Sequence, residues 1–464
     1  MTRRNIALAL IGLLLGAGGM LLWLSPRPQT DGLPDSLLSA TRPLFIPFSS
    51  PLAHIDPSPW VTISPPVEGS WHIIRSGLQF SPASPLIYEQ IYTITLRAGL
   101  PGQSGLPLLH TFTWQFTIPP PPLLFLQADE QGRVNVWQTG LAEDAVPLRL
   151  TDEVIGVRDY DAAAAAPYLL VVAEAKDGSL DLVGYDWESG ERQLLLDCAG
   201  LCENARWQPW GPWVAYEQRS RLGAAAELWL LNSETGQTWL AHPTAFFSQI
   251  GLDSPSGQFP RWSADGRYLA YFASEAQLIV ILDLAPGSSG EPLFIPATLA
   301  AMGHWSPVAP LLAYTEYARS QSQPHIHTLS NGVIIEHTGA ELYHHTIVAN
   351  LVRAETIDLV AGTEYNDGVA AWHPGGSLLA VPRSLFGEGE QIWLMDSDGA
   401  NGRAVTMAPE MVHSSLIWCP CGRELAYQRS PITYNTPPAL WLYDSQSQTH
   451  RLLQENAFLP RWRP

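Results

Sequence analysis

Three clusters in this 464-residue chain carry side chains that could do chemistry. Asp396-Ser397-Asp398-Gly399-Ala400-Asn401 places oxygen-bearing side chains at alternating positions. That spacing suits Ca²⁺, although the same residues make an ordinary hairpin turn. His304, His325, His327, His337, His344 and His345 fall in one stretch. His325 and His327, two apart, share a strand face and with a further imidazole could hold Zn²⁺. No Glu stands in a His-Glu-x-x-His frame and the spacing is irregular, so no metal ligand is nominated. Cys198 and Cys202, and Cys419 and Cys421, lack the paired Cys-x-x-Cys spacing of zinc sites; local disulfides or inert thiols are expected. Gly-x-Ser-x-Gly is absent, and neither paired carboxylates nor a triad can be nominated. The expectation is therefore a protein that is not an enzyme and holds no cofactor. Trp210 and Trp213, in or beside a turn with extra aromatic residues, are the candidate ligand-facing side chains, for peptide or glycan.

The elements that would position these residues are β-strands. With 46% hydrophobic and 15% charged residues, 40 Pro, 37 Gly and 18 Trp, the composition suits many short strands joined by tight turns. A net charge of −19 offers no basic face, so no nucleic-acid partner is expected. Met1-Thr2-Arg3-Arg4 precedes an uncharged run from Ile6 to Leu24. As a helix this run covers about 28 Å, close to one bilayer core. Arg3 and Arg4 would stay cytoplasmic and the bulk of the chain would lie outside. No Ala-x-Ala site follows Leu24, so an uncleaved single-pass signal-anchor (1–24) in the cell membrane is expected over a cleaved signal peptide. The extracytoplasmic bulk would face the cell surface or periplasm. Residues 25–40, rich in Pro, Ser, Gly and Asp, read as a spacer.

Residues 41–118 hold short alternating runs such as Trp60-Val61-Thr62-Ile63, Ile91–Leu96 and Phe112–Thr117, the pattern of a β-sandwich. IPFSSPL, ISPPVEGSW, LQFSPASPLIYEQIYTITLRAGL and FTWQFT fall in the order seen in bacterial Ig-like domains of the SbsA surface-layer type, and the stretch resembles them. The resemblance implies a spacer or adhesive module without catalytic residues. Pro119–Pro122 then forms a stiff polyproline linker of about 12 Å.

Residues 123–464 repeat. RWQPWGPWVAY (206–216), RWSADGRYLAY (261–271), HWSPVAPLLAY (304–314), AWHPGGSLLAV (371–381) and IWCPCGRELAY (417–427) each place Trp nine residues before Tyr or Val. LWLLNSETG, LIVILDLAPG, QIWLMDSDGANG and LWLYDSQSQ supply second strand pairs. A degenerate copy centres on Tyr160. A last one ends the chain at Trp462, its missing strands available at 123–126, 134–137 and 147–150. The expected architecture is all-β: a β-propeller of seven four-stranded blades, about 49 residues each, closed by the C-terminal strand. The weak Tyr160 copy leaves six or eight blades open. PRWSADGRYLAYF and IWLMDSDGANGRAVT resemble the repeat of TolB-type periplasmic propellers, relatives of WD-repeat propellers. That resemblance implies the fold; propellers of this type serve as docking platforms, peptidase gates and enzymes. The functional expectation is a membrane-anchored extracytoplasmic binding or scaffolding protein. Its propeller would recognise a protein, peptide or glycan partner at the cell envelope. A propeller hydrolase or lyase acting on glycan or peptide, and a structural envelope component, are the alternatives.

Overall fold

The computed structural model describes residues 25–29, 33, 44–74, 77–83, 86–163, 166, 168–187, 189–241, 247–248, 251–252, 256–288, 290–319, 325–328, 334–337, 342–385 and 388–463. The segment from Ile6 to Leu24, expected to span the membrane, lies outside the described residues. Among the described residues no helix is long and apolar enough to cross a membrane. The chain divides into two compact units, Met1–Pro120 and Pro121–Pro464.

In the first unit two three-stranded antiparallel sheets enclose one core. One runs in the order Leu44–Pro47, Gly77–Pro82, Gly69–Ile74; the other runs Val61–Ser64, Tyr92–Leu96, Phe112–Phe116. Successive side chains of a pleated strand point to opposite faces, so Tyr92, Ile94 and Leu96 are buried while Thr93 and Thr95 between them are partly exposed. Inside, the Tyr92 and Phe116 rings stack at 5.5 Å and Trp114 lies 4.7 Å from Phe116.

In the second unit the strands form antiparallel sheets in sequence order, each named here by the aromatic residue on its first, inner strand. The Trp262 sheet is typical: Gln258–Trp262, Tyr268–Ala273, Leu278–Asp283, Leu293–Pro296. The Tyr160 and Trp207 sheets have the same order and meet through one parallel pair, Leu180 with Leu201. The Trp305 sheet carries an extra hairpin, His325–Thr328 with Ile334–His337. In the Trp372 sheet the inner strand comes in two pieces, Asn366–Asp367 and Ala371–Trp372. The Trp418 sheet begins with Met411–Trp418. The closing sheet is built from both ends of the unit: Ala457–Trp462 pairs with Leu123–Ala128, and Val134–Thr139 and Leu148–Arg149 follow.

Every core of this unit is shared by two successive sheets, because one strand faces both ways. Leu269 and Tyr271 enter the core made with the Trp207 sheet, whereas Ala270 between them enters the core that holds Trp305. Ala215, Ala313, Ala380 and Ala426 likewise share cores with Trp262, Trp372, Trp418 and Trp462 of the following sheet. The recurring Leu-Ala-Tyr is thereby explained: the small residue leaves room for the neighbour's indole. The indoles are also hydrogen-bonded across. Nε1 of Trp262 donates to the Arg206 carbonyl at 3.1 Å, Trp305 to Arg261 at 2.9 Å, Trp372 to His304 at 2.9 Å and Trp462 to Ile417 at 3.3 Å. Arg206, Arg261 and Ile417 lie directly opposite Ala215, Ala270 and Ala426 in register, so the accepting carbonyl and the small residue form one seat. The series of cores closes on itself, since Leu124 and Leu126 of the closing sheet pack with Tyr160. The unit is an all-β propeller, a ring that removes the exposed sheet edges a linear stack would leave.

Replacing Trp305 with Ala should cost about 3–5 kcal/mol of unfolding free energy, and with Phe about 1–2, the loss of the indole bond. Urea unfolding checks this. A loss below about 1 kcal/mol for the alanine variant would contradict the packing described.

Candidate functional site: the axial channel

The residue just before each blade aromatic sits on an inner strand, and the bulges of those strands aim it at the ring axis. In the Trp207, Trp262, Trp418 and closing sheets the register slips between Glu203 and Arg206, Gln258 and Arg261, Ser414 and Ile417, and Phe458 and Arg461. Asn204, Phe259, Ser415 and Leu459 inside these bulges take φ of 48°, 57°, 51° and 52°. A left-handed non-glycine residue costs about 1 kcal/mol, so something must hold it there. At Phe259 and Leu459 the second strand of the preceding sheet does so. The Phe259 amide donates to Glu217 Oε1 and the Leu459 amide to Gln428 Oε1, both at 2.7 Å. Bulges bend a strand and re-aim side chains, which here brings the axial residues together.

Arg206, Arg261 and Arg461 converge there with Asp159 and His304. Two cavities of about 560 and 370 Å³ share Arg206, Leu459 and Arg461, and together draw lining residues from the inner strands of the sheets and, in the Trp372 sheet, from Gly368 and Val369 between its two inner pieces. Asp159 faces the first cavity. Its Oδ2 accepts from Arg206 Nη1 at 2.7 Å, and Arg461 approaches its other oxygen at 3.9 Å. Arg461 Nη1 is 3.3 Å from Asp161. Burial opposes ionisation of Asp159, but the two guanidinium groups outweigh it and hold its carboxyl below the usual carboxylate range.

Arg261 is different. Its Nε donates to the Gly303 carbonyl at 3.1 Å, Nη1 to Pro260 at 3.0 Å and Nη2 to Met302 at 3.4 Å. Among the described residues no carboxylate lies within ion-pairing distance of it. Burial, with Arg206 and Arg461 nearby, pushes its guanidinium down to about 9, so it stays cationic at neutral pH. Burial and then the charges of Arg261 and Arg461 push His304 down to about 3, which leaves it neutral. Arg461 Nε is buried without a hydrogen-bond partner. The channel is thus a polar, cationic site with spare N–H donors in a chain whose net charge is −19.

Beyond the arginines, the smaller cavity is lined by Glu390 and His413. Burial pushes His413 down to about 4, and its Nδ1 pairs with the Glu390 backbone carbonyl at 2.7 Å. Nδ1 is therefore the donor of the neutral ring, and Nε2 is left as an acceptor.

The residues singled out in the sequence lie elsewhere. Trp210 is 56% exposed, yet its Nε1 donates to the Ala264 carbonyl of the Trp262 sheet at 3.0 Å; Trp213 packs edge-on against Trp239 at 4.8 Å. Neither lines an axial cavity. The Asp396–Asn401 loop is a hairpin turn. Asn401 Nδ2 donates to Asp396 Oδ2 at 2.6 Å, and Gly399 has φ 87° with the Leu359 carbonyl where a Cβ would stand. Among the described residues the histidines do not assemble. His304 is axial, His345 Nδ1 pairs with Asp358 at 2.8 Å, and the ring of His344 tilts against Tyr317. The side chains of His325, His327 and His337 lie outside the described residues. Cys198–Cys202 and Cys419–Cys421 are disulfides. Among the described residues the one close group of potential metal-ligating atoms is Cys419, Cys421 and Glu424, and its two sulfurs are bonded to each other. Sequence reasoning missed the axial arginines. Their signal was the dipeptide Arg-Trp, present at 206, 261 and 461.

No protein-family model matches the sequence, and no curated protein does. Solved structures do. TolB from Acinetobacter baumannii is similar over 87% of this chain and 83% of its own, at 10% identity and TM-score 0.44. The β-propeller domain of the Trilobed protease from Pyrococcus furiosus is similar over 72% of this chain and 93% of its own, at 8% identity and TM-score 0.47. A Mycobacterium tuberculosis puromycin-hydrolyzing peptidase matches 72% of this chain at 12% identity and TM-score 0.47, and the chain spans 52% of that protein. The expectation that this chain is not an enzyme is corrected by these matches. Its structural neighbours are mostly enzymes, among them that peptidase, an oligogalacturonate lyase and a prolyl endopeptidase. The ring closure of the sheets carries the fold assignment.

His304 and His413 tie stability to pH. Each ionises near 6.5 when unfolded but only at about 3 and about 4 when folded. Between those values the unfolded chain binds more protons. The stabilisation is therefore complete above the unfolded value and is lost as pH falls below it. His304→Gln should flatten the acid-side slope by up to about 1.4 kcal/mol per pH unit, read from urea unfolding at about pH 5 and about pH 7. An unchanged slope would show that the imidazole titrates normally in the folded protein.

Proposed function

We propose that this chain is a membrane-tethered extracytoplasmic binding protein. Residues 1–24 are the signal-anchor and 25–40 a spacer. The sandwich of 41–118 is an Ig-like spacer of the SbsA type, and 123–464 form a seven-bladed TolB-like head. A partner at the cell envelope enters the axial channel of that head. The observation that carries this reading is the convergence of Arg206, Arg261 and Arg461 on two joined cavities, with Arg261 free of any described carboxylate. Unpaired buried cations are costly, and a protein keeps them where a ligand compensates them.

A second reading, catalysis on the bound partner, rests on Glu390 and His413. The two line the same cavity as the arginines, and His413 Nε2 is left as an acceptor able to take a proton.

Val369 lines the channel and is 39% exposed, so a photo-crosslinking residue placed there in the full chain tests the reading in cells. The expected result is an adduct with an envelope component that Arg261→Gln depletes by about ten-fold. Adducts from position 210 with none from 369 would move the binding face to the turns. Conversion of the captured partner would select the catalytic reading. The tether is checked separately: the full chain should stay with membranes through alkaline extraction, and a chain starting at Ser25 should not.

A further inference from the structure

Resting on the channel as the binding site, we propose that it captures the free C-terminal carboxylate of a peptide or protein chain that ends in an aliphatic residue. Three observations lead there.

The first is donor supply. Arg261 commits one N–H from each of its three nitrogens to backbone carbonyls, which leaves two of its five N–H groups uncommitted. Arg461 Nε–H is buried and unpaired beside it. A carboxylate brings acceptor lone pairs and one negative charge, enough to satisfy these donors by charge-assisted bonds. The second is preorganisation. The carbonyls of Gly303, Pro260 and Met302 fix the Arg261 fork before any ligand arrives, so little side-chain entropy is lost on binding. Asp159 and Asp161 pair with Arg206 and Arg461, whereas the described partners of Arg261 are backbone carbonyls.

The third observation selects the class of ligand. Val369, Pro382, Leu416, Ile417, Leu459 and Pro460 line the same cavity as the arginines, an apolar wall beside a cationic one. A chain terminus with an aliphatic side chain presents that pairing. An acidic sugar would want hydroxyl partners and an aromatic face, and neither cavity is lined by Trp, Tyr or Phe among the described residues. A volume of about 370 Å³ is at the small end of ligand pockets and fits one or two terminal residues. The neutral state of His304 is consistent with this, since it adds no fourth cation beside Arg206, Arg261 and Arg461 and leaves the wall partly apolar.

The test uses the full chain in detergent micelles and a fluorescent hexapeptide pool ending in Leu, Ile or Val. The pool is offered as the free acid and as the C-terminal amide. The free acid should bind at least about ten-fold more tightly than the amide, and Arg261→Gln should erase that difference. Because a buried arginine can also support the fold, Val369→Glu is the second variant. It sets a carboxylate at a part-exposed lining position and should compete with the free acid while leaving unfolding unchanged. Equal binding of acid and amide, tighter binding of a glucuronic-acid oligosaccharide than of the peptide acid, or no peptide binding would each overturn the carboxylate assignment. If adducts at position 369 persist in cells in those cases, the channel reading stands and only the ligand class falls. If they too are missing, both fall.

Discussion

The second unit depends on one contact made again and again around a circle. Where the contact is complete, an indole shares its core with an alanine of the sheet before it and donates its N–H to the carbonyl opposite that alanine. The pairs Trp262 with Arg206, Trp305 with Arg261 and Trp462 with Ile417 make this hydrogen bond. Burial of the indole supplies most of the free energy, and the bond fixes its position, because a buried N–H left unpaired costs more than an exposed one. Not every position uses both parts. The indole N–H groups of Trp207 and Trp418 are buried without a partner, while Tyr160 replaces the indole bond with one from its hydroxyl to the Leu459 carbonyl at 2.6 Å.

The same contact builds the channel. The residue that accepts the next sheet's indole through its backbone is the one whose side chain lines the axis. Arg206, Arg261 and His304 therefore each serve two neighbours at once. Locking the carbonyl locks the side-chain base, and the bulge held by Glu217 or Gln428 sets its direction. An acidic protein in this way keeps three guanidinium groups at its centre, close enough for Arg206 and Arg461 to depress Arg261. Their repulsion is tolerated because Asp159 and Asp161 face two of them and backbone carbonyls face the third.

The fold could be read from the sequence because ring symmetry repeats one chemical requirement. Five copies supply an indole, a turn and a small residue flanked by large ones, so Trp recurs nine residues before Tyr or Val. The tail at Trp462 showed its need for a partner by lacking the strands that 123–150 hold in excess, and Ala457–Trp462 does pair with Leu123–Ala128. The site could not be read in this way. The axial position carries Asp159, Arg206, Arg261, His304, Ile417 or Arg461 in different copies, so its one recurring mark is the Arg-Trp dipeptide of three copies. The bulge that aims it is a backbone event set by a residue in another sheet. Nearness in sequence misled in the opposite direction for the histidines, where His304 and His345 serve different surroundings, and aromatic excess did so at Trp210, whose indole braces the Trp262 sheet.

The most direct measurement is a double-mutant cycle on Ala270 and Trp305 by urea unfolding. If the indole occupies the space the alanine leaves, Ala270→Leu destabilises the native protein by about 1–3 kcal/mol. In the Trp305→Ala background the same change should be neutral or stabilising, giving a coupling of about 1 kcal/mol or more. Additive effects at the two positions would contradict the account of how the ring is held together.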